Sequence, residues 1–236
     1  MGLPGWDISW KEADNRSRRV QYIYCASHSG LQLLARFHSL LWIDATYKTN
    51  VYKMPLVDIV GRAANGRTFY IACAFVSDEK EGAYQWVLEC LRESLQKNQI
   101  PPPLTIFSDN AESLLAALAT VFPSSTSLLC IWHIQKNIEK RLRPIIAQDL
   151  LVYQEKEGDI RGEINTLWNI AKNLFNQVIF APTVGDMETE WESFKKVYSH
   201  KVFSTAMDYI STQWMTDGIK QKFLRYYTNN NFYLSE

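Results

Sequence analysis

The spacing of apolar and polar positions changes period several times along this chain. Val20–Ala26 (VQYIYCA), Leu40–Thr46 (LLWIDAT), Met54–Ala63 (MPLVDIVGRA) and Thr68–Val76 (TFYIACAFV) are short runs rich in branched and aromatic residues, the signature of strands. Ser27–Gly30 has turn composition. Asn65-Gly66 is a two-residue hairpin signal, so the strands on either side of it are expected to run antiparallel. From Asp78 to Asn98 the period becomes helical, with Ala83, Trp86, Val87, Cys90, Leu91 and Leu95 on one stripe. Asp78, Glu79 and Glu81 suit the positive N-terminal end of that helix. Three prolines, 101–103, end it. Leu104–Phe107 (LTIF) then predicts a strand, Asn110–Val121 a helix, and Ser127–Ile131 (SLLCI) a last short strand.

This order, a meander followed by strand–helix units, predicts an α/β fold of the RNase H-like kind: a mixed five-stranded sheet with flanking helices. From about Gln135 onward the pattern is helical and no further strand is evident. The expected organisation is an irregular lead-in over 1–19, a sheet-bearing core over 20–134, and an all-α segment of about five helices over 135–236.

Composition narrows the function classes. The chain has 236 residues and is 47% hydrophobic, enough for a substantial core. Lys plus Arg and Asp plus Glu number 25 each, so overall charge gives no drive toward nucleic acid, and any such contact needs a local basic face. Arg16, Arg18 and Arg19 read as a solvated lead-in. The four cysteines, Cys25, Cys73, Cys90 and Cys130, form no CxxC pair; this fits a reducing, intracellular setting. There is no secretory leader pattern and no apolar run of membrane-spanning length.

Two acids stand out. Asp44 lies inside an apolar strand, where a carboxylate is costly unless paired or bound to metal. Asp109 follows LTIF, where a strand meets a helix. In an RNase H-like sheet these two strands are neighbours, so the carboxylates are expected to converge within about 4–8 Å, close enough to share a metal pair for phosphodiester cleavage. The plainer alternative gives Asp44 backbone partners and makes Asp109 a helix N-cap.

The blocks DATYKTNVYKMPLVDIVG, FYIACAFVSDEKEGAYQWVL, FSDNAESLLAALATVFP and LLCIWHIQKNIEKRL together resemble the Mutator-like element (MULE) transposase domain, most closely the branch common in fungal genomes. The resemblance is strong over about 20–143 and weaker to about 230. It implies a DDE-type transposase with an RNase H-like fold and a helical insertion. It implies Asp44 and Asp109 as the first two catalytic and metal-binding acids, with Mg²⁺ or Mn²⁺ in a two-metal site. It further implies transposon terminal-repeat DNA as the partner, a homo-oligomer as an open question, and a nuclear location. The family's CxxH motif corresponds to Cys130 and His133. A single such pair falls short of a four-ligand zinc site, so a structural or helper role is favoured over metal binding, and Trp132 beside it reads as core. Lys48, Lys136, Lys140, Arg141 and Arg143 are candidates for DNA-phosphate contacts, against the commoner role of a solvated face.

The third acid is where the sequence departs from the family. STQWMTDGIKQKFLRYYTNNNFYLSE resembles the segment just before the family's final glutamate, but Glu236 lacks the expected surroundings. Glu188, Glu190 and Glu192 look like a solvated helix face. The expectation is a chain truncated before its third ligand. Three functions compete: a transposase catalytic domain; a domesticated or decayed, non-catalytic DNA- or protein-interaction module; and, distantly, a 3′–5′ exonuclease. The last would want Asp-x-Glu where residues 44–46 read Asp-Ala-Thr.

Overall fold

A computed structural model of the chain describes residues 4–13, 19–46, 50–153 and 160–228. It contains two compact units, Met1–Leu128 and Leu129–Glu236. Among the described residues the strands are β1 Trp6–Glu12, β2 Val20–Ser27, β3 Leu40–Thr46, β4 Leu56–Arg62, β5 Thr68–Val76, β6 Thr105–Ser108 and β7 Thr126–Leu129. They form one sheet in the order β1-β2-β5-β4-β3-β6-β7. Strands β3, β4 and β5 are an antiparallel meander, and β6 joins β3 in parallel. The five strands β5-β4-β3-β6-β7 are the expected mixed RNase H-like sheet. Two more strands extend it beyond β5, β2 where Val20–Ala26 predicts a strand and β1 where none was expected, so the expected count of five is too low.

One of the added strands corrects the reading of residues 1–19 as irregular. Trp6–Glu12 pairs antiparallel with β2, with Trp6 opposite Ser27 and Ile8 opposite Cys25. Its apolar residues Trp6, Ile8 and Trp10 alternate with Asp7, Ser9 and Lys11, a period-2 pattern hidden by the strand's shortness and charge.

The turn expected at Ser27–Gly30 is instead the start of helix α1, His28–Arg36. Ser27 caps it by accepting from the Gly30 amide at 3.3 Å, and Leu31 and Leu34 face the core. Gly30 serves close packing: a Cβ there would lie 2.2 Å from the Tyr70 carbonyl oxygen. The Asn65-Gly66 signal marks a hairpin, but the loop has three residues rather than two. Ala63 donates to the Arg67 carbonyl and Gly66 to the Ala63 carbonyl, both at 2.9 Å, with Gly66 at φ +78°. This is a type I-like turn closed by a left-handed glycine.

Helix α2, Glu81–Lys97, follows β5, and α3, Glu112–Val121, follows β6. The core of this unit lies on one sheet face, where Leu41, Ile43, Val57, Ile59, Ala72 and Ala74 are buried beside Val87, Leu88 and Leu91 of α2. Each buried Val, Leu or Ile among these contributes about 1.5–3 kcal/mol. An extra residue, Ile71, enters β5 where the register shifts between Ile59 and Val60, a β-bulge.

The second unit is helical: α4 Ile131–Tyr153, α5 Ile160–Phe180, α6 Val184–Val197, a 3₁₀ turn at Lys201–Phe203, α7 Ser204–Gln213, and the single-turn helices α8 Asp217–Lys220 and α9 Arg225–Thr228. Among the described residues that is six α-helices, four of them longer than a single turn, where about five were expected. Ile131, assigned above to the last strand, opens α4. Trp168, Phe175, Phe194 and Tyr198 are buried here, with Phe194 at the centre of contacts to Phe175, Trp191 and Tyr198. No helix among the described residues is long and apolar enough to cross a membrane.

Candidate functional site

The site begins with the register between β3 and β6. Leu40 lies opposite Thr105, Leu41 opposite Ile106 and Trp42 opposite Phe107. The Trp42 and Phe107 rings stack, with centroids 4.8 Å apart and planes at 10°. Asp44 and Asp109 each stand two residues beyond that last pair. Because strand side chains alternate, Asp44 shares a sheet face with Trp42, and Asp109 leaves the end of β6 on the Phe107 side.

Asp44 has a second acidic neighbour. In the antiparallel β3–β4 ladder it lies directly opposite Asp58, so the two carboxylates are on one face. Burial pushes the Asp58 carboxyl up from its ordinary value, and the negative charge of Asp44 adds to the shift. Glu79, just before α2, behaves similarly. Burial raises its carboxyl, hydrogen bonding from Tyr84 lowers it, and the charge of Asp109 raises it. The Tyr84 hydroxyl donates to Glu79 Oε1 at 3.0 Å, and burial together with the Glu79, Asp109 and Asp44 charges raises that phenol strongly. In the first unit Asp44 thus acts on Asp58, Asp109 acts on Glu79, and the charges of Asp44, Asp109 and Glu79 all reach the Tyr84 phenol.

Sequence reasoning missed Asp58 and gave Glu79 only a helix-end role. Asp58 sits in a short apolar strand, as Asp44 does, but pairing the two requires a strand register that composition does not carry. Lys80 is the N-cap of α2 and Glu81 its only first-turn acid, so Glu79 lies outside the helix.

Asp109 also has a structural role. Its Oδ1 accepts from the Ala111 amide at 3.2 Å, an Asx turn that leads into α3. Ala111 itself holds the N-cap position, so the helix-cap alternative is met one step removed. Among the described residues no group of three or more His, Cys, Asp or Glu side chains is arranged to hold a metal ion. The described side chains do not amount to a complete two-metal donor set.

The remaining candidates lie in the second unit, apart from Lys48, which is outside the described residues, as are Arg16, Arg18 and Glu236. Cys130 precedes α4, and its carbonyl accepts from the Ile134 amide at 3.2 Å. Burial pushes the Cys130 thiol up, but hydrogen bonding from His133 and from backbone amides outweighs this and leaves it below the usual thiol range. Trp132, expected in the core, is exposed at 57%, with the Lys136 ammonium 5.8 Å from its ring centroid. Its helix position places it on the outward side, which a local apolar run does not reveal.

The basic residues of α4 are partly engaged with one another's partners. Lys136 and Arg143 bracket Glu139 at 2.9 and 2.7 Å, and Arg143 also donates to Asn165. Arg141 lies 4.7 Å from the Tyr209 ring centroid, while Lys140 is exposed. Lys136, Lys140 and Arg143 line a groove of about 490 Å³ with Pro144, Ala147 and Ile164. Glu188 and Glu192 are exposed on α6, and Glu192 bridges Lys195 at 2.6 Å, in keeping with a solvated face.

Residues 40–137 match the family model of the MULE transposase domain. The chain is 29% identical over 137 residues to the PKS-NRPS hybrid synthetase cheA of Chaetomium globosum, covering 56% of this chain and 3% of that protein. It is 25% identical over 145 residues to Protein FAR1-RELATED SEQUENCE 5 of Arabidopsis thaliana, covering 61% of this chain and 18% of that one. It is 21% identical over 124 residues to Protein FAR-RED IMPAIRED RESPONSE 1 of the same plant, covering 52% and 15%. The chain spans less than a fifth of the length of each of these relatives. Among solved structures, the magnesium complex of the HTLV-2 integrase catalytic core domain in its trimeric form is 12% identical, covers 65% of this chain and 94% of that one, and superposes with a TM-score of 0.26. A score that low adds nothing to the fold already evident in the strand order.

Proposed function

We propose, from the premise that residues 40–137 are a MULE transposase domain of the DDE, RNase H-like kind, that this chain is a decayed or domesticated derivative working as a non-catalytic DNA- or protein-interaction module. The observation that carries this reading is the donor set around Asp44 and Asp109. Asp109 is partly committed to the α3 turn, and no three-ligand group is assembled among the described residues. The similarity to several FAR1-related proteins of Arabidopsis supports it.

The second reading is metal-dependent DNA cleavage and strand transfer with Mg²⁺ or Mn²⁺ at Asp44 and Asp109. It is favoured by one observation, that each acid follows the last β3–β6 pair, Trp42 and Phe107, by two residues. The branch within the family, a nuclear location and terminal-repeat DNA as partner belong to the proposal as well. For DNA, the basic side of α4 around Lys136, Lys140 and Arg141 is the contact surface, acting on phosphates.

The test is fluorescence anisotropy of a labelled duplex titrated with the chain at two salt concentrations. Salt-sensitive binding that weakens in Lys140→Ala and Arg141→Ala supports a DNA module. Binding absent at low salt moves the module to protein partners. Efficient cutting of the duplex would favour the second reading.

A further inference from the structure

We propose that β1 is a self-complementary edge through which two copies of this chain join into one continuous sheet. Among the described residues β1 is the terminal strand of the sheet and pairs on one side only, with β2. Its backbone polarity is fixed by two hydrogen bonds. The Gly5 carbonyl accepts from the His28 amide, and the Ala13 amide donates to the Arg19 carbonyl, each at 2.9 Å. The register shift near Lys11 and Glu12 arises from an extra residue in β2, so alternation along β1 is intact. Odd-numbered positions therefore turn their N–H and C=O toward β2, and Trp6, Ile8, Trp10 and Glu12 turn theirs outward.

The side chains select an occupant. In WDISWKE the charges and apolar groups are arranged around Ser9. An antiparallel copy related by a two-fold axis at Ser9 sets Asp7 opposite Lys11 of the second copy, and Ile8 opposite its Trp10, twice over. The outward-turned pair Ile8 and Trp10 is then the pair that exchanges backbone hydrogen bonds. Sliding by one residue sets Asp7 against Glu12 and reverses the faces. Sliding by two leaves both charges without an opposite. Of the registers the backbone allows, the one centred on Ser9 is thus the one in which unlike charges meet.

Trp10 is 62% exposed and Trp6 36%, an apolar load unusual for an edge that solvent alone covers. Lysine on an edge strand ordinarily deters pairing, but here Lys11 meets the opposite charge of the second copy. Asp7 already receives Lys97 at 2.8 Å and His28 at 3.3 Å, which holds its carboxylate in place on the strand. The closure is isologous, so assembly stops at two.

The experiment is sedimentation equilibrium of the 236-residue chain across micromolar concentrations, with Ile8→Pro and Trp10→Lys in parallel. Proline at 8 removes an outward N–H that β2 does not use, and Trp10 is exposed, so the fold is expected to survive; far-UV circular dichroism checks this. The expected result is a concentration-dependent rise to twice the 27.4 kDa of one chain, lost in both variants. If Ile8→Pro unfolds, Trp10→Lys decides alone. A parent chain that stays monomeric, or a dimer that persists in folded Trp10→Lys, overturns the proposal.

Discussion

Trp42 and Phe107 stack face to face across the β3–β6 junction, one side-chain repeat below Asp44 and Asp109. The contact packs the β3–β6 pair just ahead of the two acids. Replacing either ring by alanine removes a half-buried aromatic and its stacking partner. Phe107→Ala is expected to cost roughly 2–4 kcal/mol of stability, measured by urea unfolding. A loss below about 0.5 kcal/mol would mean that the stack does not hold the junction.

Two glycines make a controlled pair. Gly30→Ala puts a methyl 2.2 Å from a carbonyl oxygen and 2.9 Å from the Ile71 Cα, both backbone atoms, so α1 has to lift off β5. Its cost is expected to reach about 3 kcal/mol or more. Gly82→Ala in the first turn of α2 meets nothing within 4 Å and is expected to stabilise by about 0.4–1 kcal/mol. Thermal melts of the two variants should move in opposite directions.

The acidic row gives a pH dependence. The folded-state value of Asp58 lies above its ordinary value of 3.8, so the native state holds its proton more tightly than the unfolded chain. Stability from this group is therefore lost as pH rises from the ordinary carboxylate range through the raised value. Asp58→Asn removes that penalty. Its melting temperature should exceed the parent's at neutral pH, and the gap should close on acidification below the ordinary value. A gap that widens in acid would contradict the Asp44–Asp58 opposition.

Much of this was legible beforehand. Strands β2 to β7 and the helical second half follow from period changes that any β-branched or amphipathic run displays, and LLWIDAT and LTIFSD marked Asp44 and Asp109 directly. What escaped depended on pairing. The β1 alternation spans seven residues and includes three charges, so it passes for a polar lead-in until β2 lies beside it. His28–Arg36 was hidden by Ser27 and Gly30, two residues that signal a turn in isolation but act here as a cap and a close-contact point. Asp58 and Glu79 join the site only through a register and through the chain's return from β5 to α2.

The thiols should separate by reactivity. Cys130 lies below the usual thiol range, whereas burial with Glu93 and Glu89 pushes Cys90 up to about 12, and Cys25 and Cys73 are also raised by burial. Alkylation by iodoacetamide near neutral pH, followed by peptide mass spectrometry, should label Cys130 first. His133→Ala should slow that site on the order of tenfold while leaving the others unchanged. Equal rates at all four would show that the Cys130–His133 contact does not tune the thiol.

In the proposed function, Asp44 and Asp109 stand on this sheet without forming a working strand-cutting centre. The direct measurement is cleavage of a pre-nicked terminal-repeat duplex in Mg²⁺ and in Mn²⁺ by the parent chain, with Asp44→Asn and Asp109→Asn as references. The predicted result is product at the level of the two variants in either metal. Parent-chain cleavage well above that level, abolished by either Asp→Asn change, would contradict it and establish the chain as a nuclease.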